Sequence, residues 1–174
     1  ICDISAGDQG HTHPVQMCAV DAPARRKKAW RARPSFTLAA LSLPLATDVA
    51  ALEQGLETLV RGMGRYIGMA DNLALVLFER PDEQLIRQFV DRVQTGCLQK
   101  DGATLSAGVA SWPCLDFART DVPGNCLKAL LHASFLGPGS VVFFDSLTLN
   151  ISGDVFFEEG DYRAAIREYR RGLK

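Results

Sequence analysis

The stretch Ser106-Ala107-Gly108-Val109-Ala110-Ser111-Trp112-Pro113, together with the later run Ala129-Leu130-Leu131-His132-Ala133-Ser134-Phe135-Leu136-Gly137-Pro138-Gly139-Ser140-Val141-Val142-Phe143-Phe144, decides how this chain folds. Small and apolar residues from Thr104 to Ala110 predict a buried strand, and Trp112-Pro113 stops it because proline has no N–H for a ladder. After a loop, the pattern from Asn125 to Leu136 is helical. Gly137-Pro138-Gly139 ends that helix, since glycine accepts the left-handed backbone of a helix C-terminus and proline cannot continue it. Val141 to Phe144 then reads as a short strand.

Upstream, Leu73 to Phe78 (Leu-Ala-Leu-Val-Leu-Phe) has no polar alternation and predicts a strand covered on both faces. It pairs with Tyr66 to Met69 through Ala70-Asp71-Asn72, where Asp and Asn tolerate the dihedrals of a tight hairpin. Phe36 to Leu43 is an apolar run of strand length, ended by Pro44. Between this run and the hairpin, Thr47 and Asp48 are placed to cap a helix whose apolar positions Val49, Leu52, Leu56, Leu59, Val60 and Met63 share a face. A second helix opens at Pro81-Asp82-Glu83, where proline needs no donor and acids oppose the positive helix end; its stripe is Leu85, Ile86, Phe89, Val90 and Val93. The order strand, helix, strand, strand, helix, strand, helix, strand predicts an α/β (α+β) sandwich of ferredoxin-like type. It is a mixed five-stranded sheet with helices packed on it, whose crossovers are long enough for parallel neighbours.

The 174 residues, 47% hydrophobic and 22% charged, suit one globular domain of roughly 100 to 150 residues with extra segments at its ends. A formal net charge of −1 gives no general reason to expect nucleic acid, an anionic membrane or a strongly charged substrate. Cys2, Cys18, Cys97, Cys114 and Cys126 are odd in number, scattered and without a C-x-x-C pair, which argues for a reducing cytoplasm over a disulfide framework or zinc ribbon. No apolar run approaches the ~20 residues of a membrane span. The start at Ile1 and the stop within a helical pattern at Lys174 suggest a piece of a longer protein.

Ser106-x-Gly108-Val109-Ala110-x-x-Pro113 resembles the S-x-G-[IV]-A-x-x-P strand end of GGDEF domains, the diguanylate cyclase family. Ala129-Leu130-x-x-Ala133-x-x-x-Gly137-x-x-x-Val141-Val142-x-Phe144 follows that family's last helix and strand without a gap. With the element order, the resemblance covers roughly Ala24 to Asp145. It implies the nucleotidyl-cyclase-like version of the sandwich and, for active members, two chains that each present GTP to make cyclic di-GMP. Such metal-assisted phosphoryl transfer needs carboxylates for Mg²⁺ and basic or backbone donors for phosphate.

Those groups are missing. Met69-Ala70-Asp71-Asn72-Leu73 stands where the family has G-G-[DE]-E-F, so only Asp71 keeps an acid, and Met69 and Ala70 replace glycines that let substrate approach. Ser42 of Ser42-Leu43-Pro44 takes the place of the metal-binding Asp that ends the first strand. Leu45-Ala46-Thr47 shortens the stretch that carries a Lys and an Asn-Asp for phosphate and guanine. Ser134 replaces the phosphate-contacting Lys. The inhibitory R-x-x-D motif would fall on Val60 to Met63, where Arg61 is followed three residues later by Gly64 and no Asp completes it.

A second resemblance is to a tetratricopeptide repeat: Gly153-x-x-Phe156-Phe157-x-x-Gly160-Asp161-Tyr162-x-x-Ala165-Ile166-x-x-Tyr169-x-x-Gly172-Leu173. There Gly153, Ala165 and Gly172 let two antiparallel helices approach, and Phe156, Phe157, Tyr162 and Tyr169 pack between them. A lone repeat cannot bury its apolar face, so further repeats are expected to follow. The organisation is thus residues 1–33 as a lead-in, linker or end of a preceding segment, 34–146 as a degenerate GGDEF-like domain and 147–174 as a tetratricopeptide-like hairpin.

Other features read more plainly. His11-x-His13 with Cys2 and Cys18 matches no standard zinc spacing and reads as loop. Arg25-Arg26-Lys27-Lys28, continuing to Trp30, Arg31 and Arg33, has phosphate-binding chemistry but reads as a solvated face or linker. His132 has no nucleophile or orienting acid near it in sequence, and Asp71 alone reads as a hairpin residue. The expectation is a catalytically inactive signalling module without metal or cofactor. Its partners are a protein or a second copy, with peptide binding through the repeat, and neither nucleic acid nor a membrane span. The alternatives are a sensor of GTP or cyclic di-GMP and a cyclase with residual activity in a heterodimer.

Overall fold

A computed structural model describes residue 30 and residues 33–43, 49–70, 72–80, 82–97 and 104–174. The elements are β1 (Phe36–Ser42), α1 (Val49–Val60), β2 (Gly64–Ala70), β3 (Leu73–Phe78), α2 (Glu83–Cys97), β4 (Ser106–Trp112), α3 (Val122–Leu136), β5 (Val141–Phe143), α4 (Ser146–Glu158) and α5 (Tyr162–Gly172). They form one five-stranded sheet in the order β2-β3-β1-β4-β5.

The sheet is mixed, as the element order predicts. β1 pairs antiparallel with both β3 and β4, and only β4 and β5 are parallel neighbours. Helix α1 does carry the chain back so that β2 runs with β1; β3, folding back from β2, inserts itself between them. A hairpin closes over a few residues while a helical crossover must span the sheet, so the hairpin partner takes the adjacent place.

Alternation along the strands produces two cores. Phe36, Leu38 and Ala40 of β1 and Leu73, Leu75 and Leu77 of β3 point to one face, where α3 supplies Val122, Cys126, Ala129, Leu130 and Ala133. Ala39 and Leu41, with Ala74, Val76 and Phe78, point to the other, against Leu52, Leu56 and Val60 of α1 and Ile86, Phe89, Val90 and Val93 of α2. All six residues of β3 are buried, as a two-faced strand requires.

Several boundaries move for local reasons. α1 stops at Val60 rather than Met63 because Gly62 turns into the left-handed region at φ 88°. β4 runs on through Trp112, held by pairing with Phe36. α3 starts at Val122 rather than Asn125, since Pro123 in a first turn forgoes a hydrogen bond that the helix would not have made. In α2, the Asp82 carboxylate accepts from the Leu85 N–H at 3.0 Å and closes the helix start.

Helix α3 packs backbone to backbone on β4. A Cβ at Gly108 would run into the Leu130 N and Cys126 O atoms of the helix backbone. Beside it, the Cys126 thiol donates to the Leu38 carbonyl at 3.1 Å, and burial pushes its ionisation far above the usual thiol range.

Substituting Gly108→Ala should therefore cost about 2–3 kcal/mol of stability in a denaturant titration, because backbone must yield on both sides. Gly124→Ala, with nothing near its Cβ position, should stay within about 1 kcal/mol of the parent.

Candidate functional site

Three segments converge at one end of the sheet. Ser42 closes β1 and is in register with Leu73 of β3 on one side and Ser106 of β4 on the other. The Leu43 N–H donates to the Asn72 carbonyl at 2.7 Å, which holds the tip of the β2–β3 hairpin against the end of β1. The C-terminal end of α3 arrives from the face above, through Ser134 and the Gly137-Pro138 turn, where Gly137 takes φ 99°.

Between them lies an open hollow of about 340 Å³ lined by Ser42, Leu43, Thr104, Ser106, Ser134, Gly137 and Pro138. Ser42 and Ser134, far apart in the chain, thus share one surface. Asn72 and Leu73 adjoin it through their pairing with β1, and β2 ends beside them with the backbone of Met69 and Ala70. Asp71 lies outside the described residues, as do residues 44–48 with the shortened stretch Leu45-Ala46-Thr47.

Among the described residues, the side chains of this wall are neutral. Its polar side chains are hydroxyls, and that of Ser134 already donates to the Leu131 carbonyl at 2.6 Å. The end of α3 that forms one side is a carbonyl end, with partial negative charge, so phosphate gains nothing from the helix here. No group of three or more His, Cys, Asp or Glu residues placed to hold a metal exists among the described residues. A magnesium-bound triphosphate needs carboxylates and cations, and none lines the hollow among the described residues.

Comparison with known proteins bears on the fold. No protein-family model matches the sequence, and a search among curated proteins finds no match. Solved structures do match. The isolated GGDEF domain of TpbB (YfiN) from Pseudomonas aeruginosa superposes with a TM-score of 0.52 at 13% identity, over 64% of this chain and 77% of that one. The fold is GGDEF-like. An EAL/GGDEF protein from M. capsulatus gives 0.52 at 18% identity, over 66% and 88% of the two chains. The diguanylate cyclase SiaD of Pseudomonas aeruginosa, solved with its activator SiaC, gives 0.51 at 16%, over 68% and 53%.

On this GGDEF-like fold the last two helices form an antiparallel hairpin. Asp145 caps α4 by accepting from the Thr148 N–H at 2.8 Å, and Asp161 caps α5 by accepting from the Ala164 N–H at 3.0 Å. Gly160 makes the turn at φ 81°. A Cβ on Gly153 would stand 2.5 Å from the Tyr169 ring, and one on Gly172 would stand 3.0 Å from Asn150 Oδ1, so the helices meet where side chains are absent. Ala165 is buried and Phe156 is half-buried. Phe157 and Tyr162 meet edge to face with ring centres 5.3 Å apart, and each is left 58% exposed.

The hairpin is fastened to the sheet layer through α3. Lys128 Nζ lies 2.6 Å from Glu168 Oε2 in a largely buried pair, and Arg171 stacks over Phe117 at 4.7 Å. Leu149 joins the core beneath α3. His132 is buried, its Nδ1 3.2 Å from the Thr148 hydroxyl, which donates to Asp145 at 3.0 Å. An acid therefore does reach His132 through Thr148, though sequence separation hid it. With Thr148 fully buried, this chain of bonds fixes the entry to α4 rather than facing a substrate.

The Tyr169 hydroxyl donates to Asp154 at 2.5 Å, and this bond, with repulsion from Asp154 and Glu158, holds the phenol above its ordinary value. A raised acid favours its neutral form when folded, so this contact is complete below about pH 10 and is lost as pH rises through the raised value. Tyrosine ring resonances followed by NMR should show Tyr169 ionising above about pH 10, and Asp154→Asn should bring it back down.

Proposed function

We propose that this chain is a non-catalytic signalling module built on the GGDEF-like fold, acting by protein contact rather than by making cyclic di-GMP. The observation that carries this reading is the hollow lined by Ser42, Thr104, Ser106 and Ser134, which offers hydroxyls where phosphoryl transfer to a second nucleotide needs metal-binding carboxylates and a cation. Residues 34–146 constitute the degenerate domain. Residues 147–174 are a tetratricopeptide-like hairpin able to present a peptide-binding surface.

Protein contact has a precedent on this fold in SiaD, whose structure includes its activator SiaC. No helix among the described residues is long and apolar enough to cross a membrane. A cytoplasmic module that meets a protein partner fits both facts.

A second reading is favoured by the openness of the hollow: a regulatory site that holds GTP or cyclic di-GMP without turnover. Calorimetry separates the two. Purified protein with Mg²⁺ should form no cyclic di-GMP from GTP and release no binding heat with either nucleotide at high protein concentration. Heat without turnover would establish the sensor, and cyclic di-GMP production abolished by Asp71→Ala would sink the non-catalytic reading altogether.

A further inference from the structure

The outer face of the helix hairpin carries a charge pattern that the hollow does not explain. Successive residues of a helix are turned by about 100°, so Tyr162, Ile166 and Tyr169 of α5, with Leu173 at its C-cap, form one strip while Ala164, Ala165 and Glu168 face inward and are buried. Tyr162 is 58% exposed, Ile166 50% and Leu173 86%. Arg163, Arg167 and Arg170 line one side of this strip, all exposed and, among the described residues, in no ion pair. Across the strip, α4 contributes Phe157 and the exposed carboxylates Asp154 and Glu158.

The levels of these charges match. The helices are antiparallel, with Asp154 beside Tyr169 and Phe157 beside Tyr162. Asp154 therefore stands level with Arg170, and Glu158 stands near the level of Arg163. Rotation by 180° about an axis along the strip keeps every level and exchanges the two flanks. Each copy's arginines then meet the other copy's carboxylates, and the apolar strips close on one another.

We propose that this face pairs with a second copy of the chain, in place of the following repeat that a tetratricopeptide array would stack there, the two α5 helices lying parallel about a two-fold axis along Tyr162, Ile166 and Leu173. Arg170 then reaches the partner's Asp154, and Arg163 reaches the partner's Glu158. The inference rests on the reading of the chain as a protein-contact module and names its partner. An antiparallel arrangement would set arginine against arginine. An anionic bilayer would draw in the arginine flank but repel Asp154, Glu158, Glu159 and Asp161. The strip is about 16 Å long at 1.5 Å per residue, so the interface is small and the pairing belongs in the micromolar range.

Sedimentation velocity of the chain from about 1 to about 200 µM should show a monomer–dimer equilibrium with a dissociation constant on the order of 10 µM. The pairs Arg163→Glu with Arg170→Glu, and Asp154→Arg with Glu158→Arg, should each weaken self-association at least about tenfold through like charges on facing flanks. Mixing the two variants in equal amounts should restore a dimer. Leu173→Cys, on the axis, should crosslink to its own counterpart under mild oxidation, whereas Leu136→Cys on α3 should not. All these positions are exposed, and circular dichroism checks that the fold is kept. A monomer throughout the range overturns the proposal, including one that pellets with anionic vesicles or binds another protein, and so does failure of the two variants to restore each other. Because nucleotide turnover and binding are measured separately, a monomer that neither binds nor converts GTP removes only this pairing.

Discussion

Helix α3 lies on the sheet so closely that its backbone rests against Gly108, and this approach governs what surrounds it. A side chain at that position would lift the helix and move everything the helix carries. Its C-terminal end forms one wall of the hollow through Ser134 and Gly137. Its outward side holds Lys128 for Glu168 and His132 for Thr148. One backbone contact thus sets both the geometry of the candidate site and the seating of the last two helices.

The fold does not depend on the chemistry of the hollow. Burial of alternating apolar residues on both faces of β1 and β3 does not depend on what stands at the strand ends, so the core tolerates many residue types at the rim. Ser42, Thr104, Ser106 and Ser134 place hydroxyls along the hollow. Among the described residues, the hollow carries no charged side chain that would hold a metal and its phosphates.

The helix hairpin is joined to this layer by a different balance. Lys128 and Glu168 are both largely out of water, so each depends on the other for compensation, and loss of either would leave a buried charge behind. Lys174 and Asp116, 2.7 Å apart but well exposed, add little beside that pair; the bond to Lys174 keeps the Asp116 carboxyl below its usual range. What the hairpin leaves facing outward is the strip from Tyr162 to Leu173 with opposite charges on its flanks.

Local pattern was enough for the element order, for β3 as a strand buried on both faces and for the glycines that end α3, because periodicity and backbone preference act between near neighbours. The resemblance adds the expectation that Ser42 and Ser134 stand where that family carries charge. The insertion of β3 between β1 and β2, the meeting of Ser42 with Ser134 in one hollow, the reach from His132 to Asp145 and the pairing of Lys128 with Glu168 were decided only by the tertiary structure. Each joins residues distant in the chain through the packing of a helix on a sheet, and spacing along a sequence carries no record of which rim two strand ends will share.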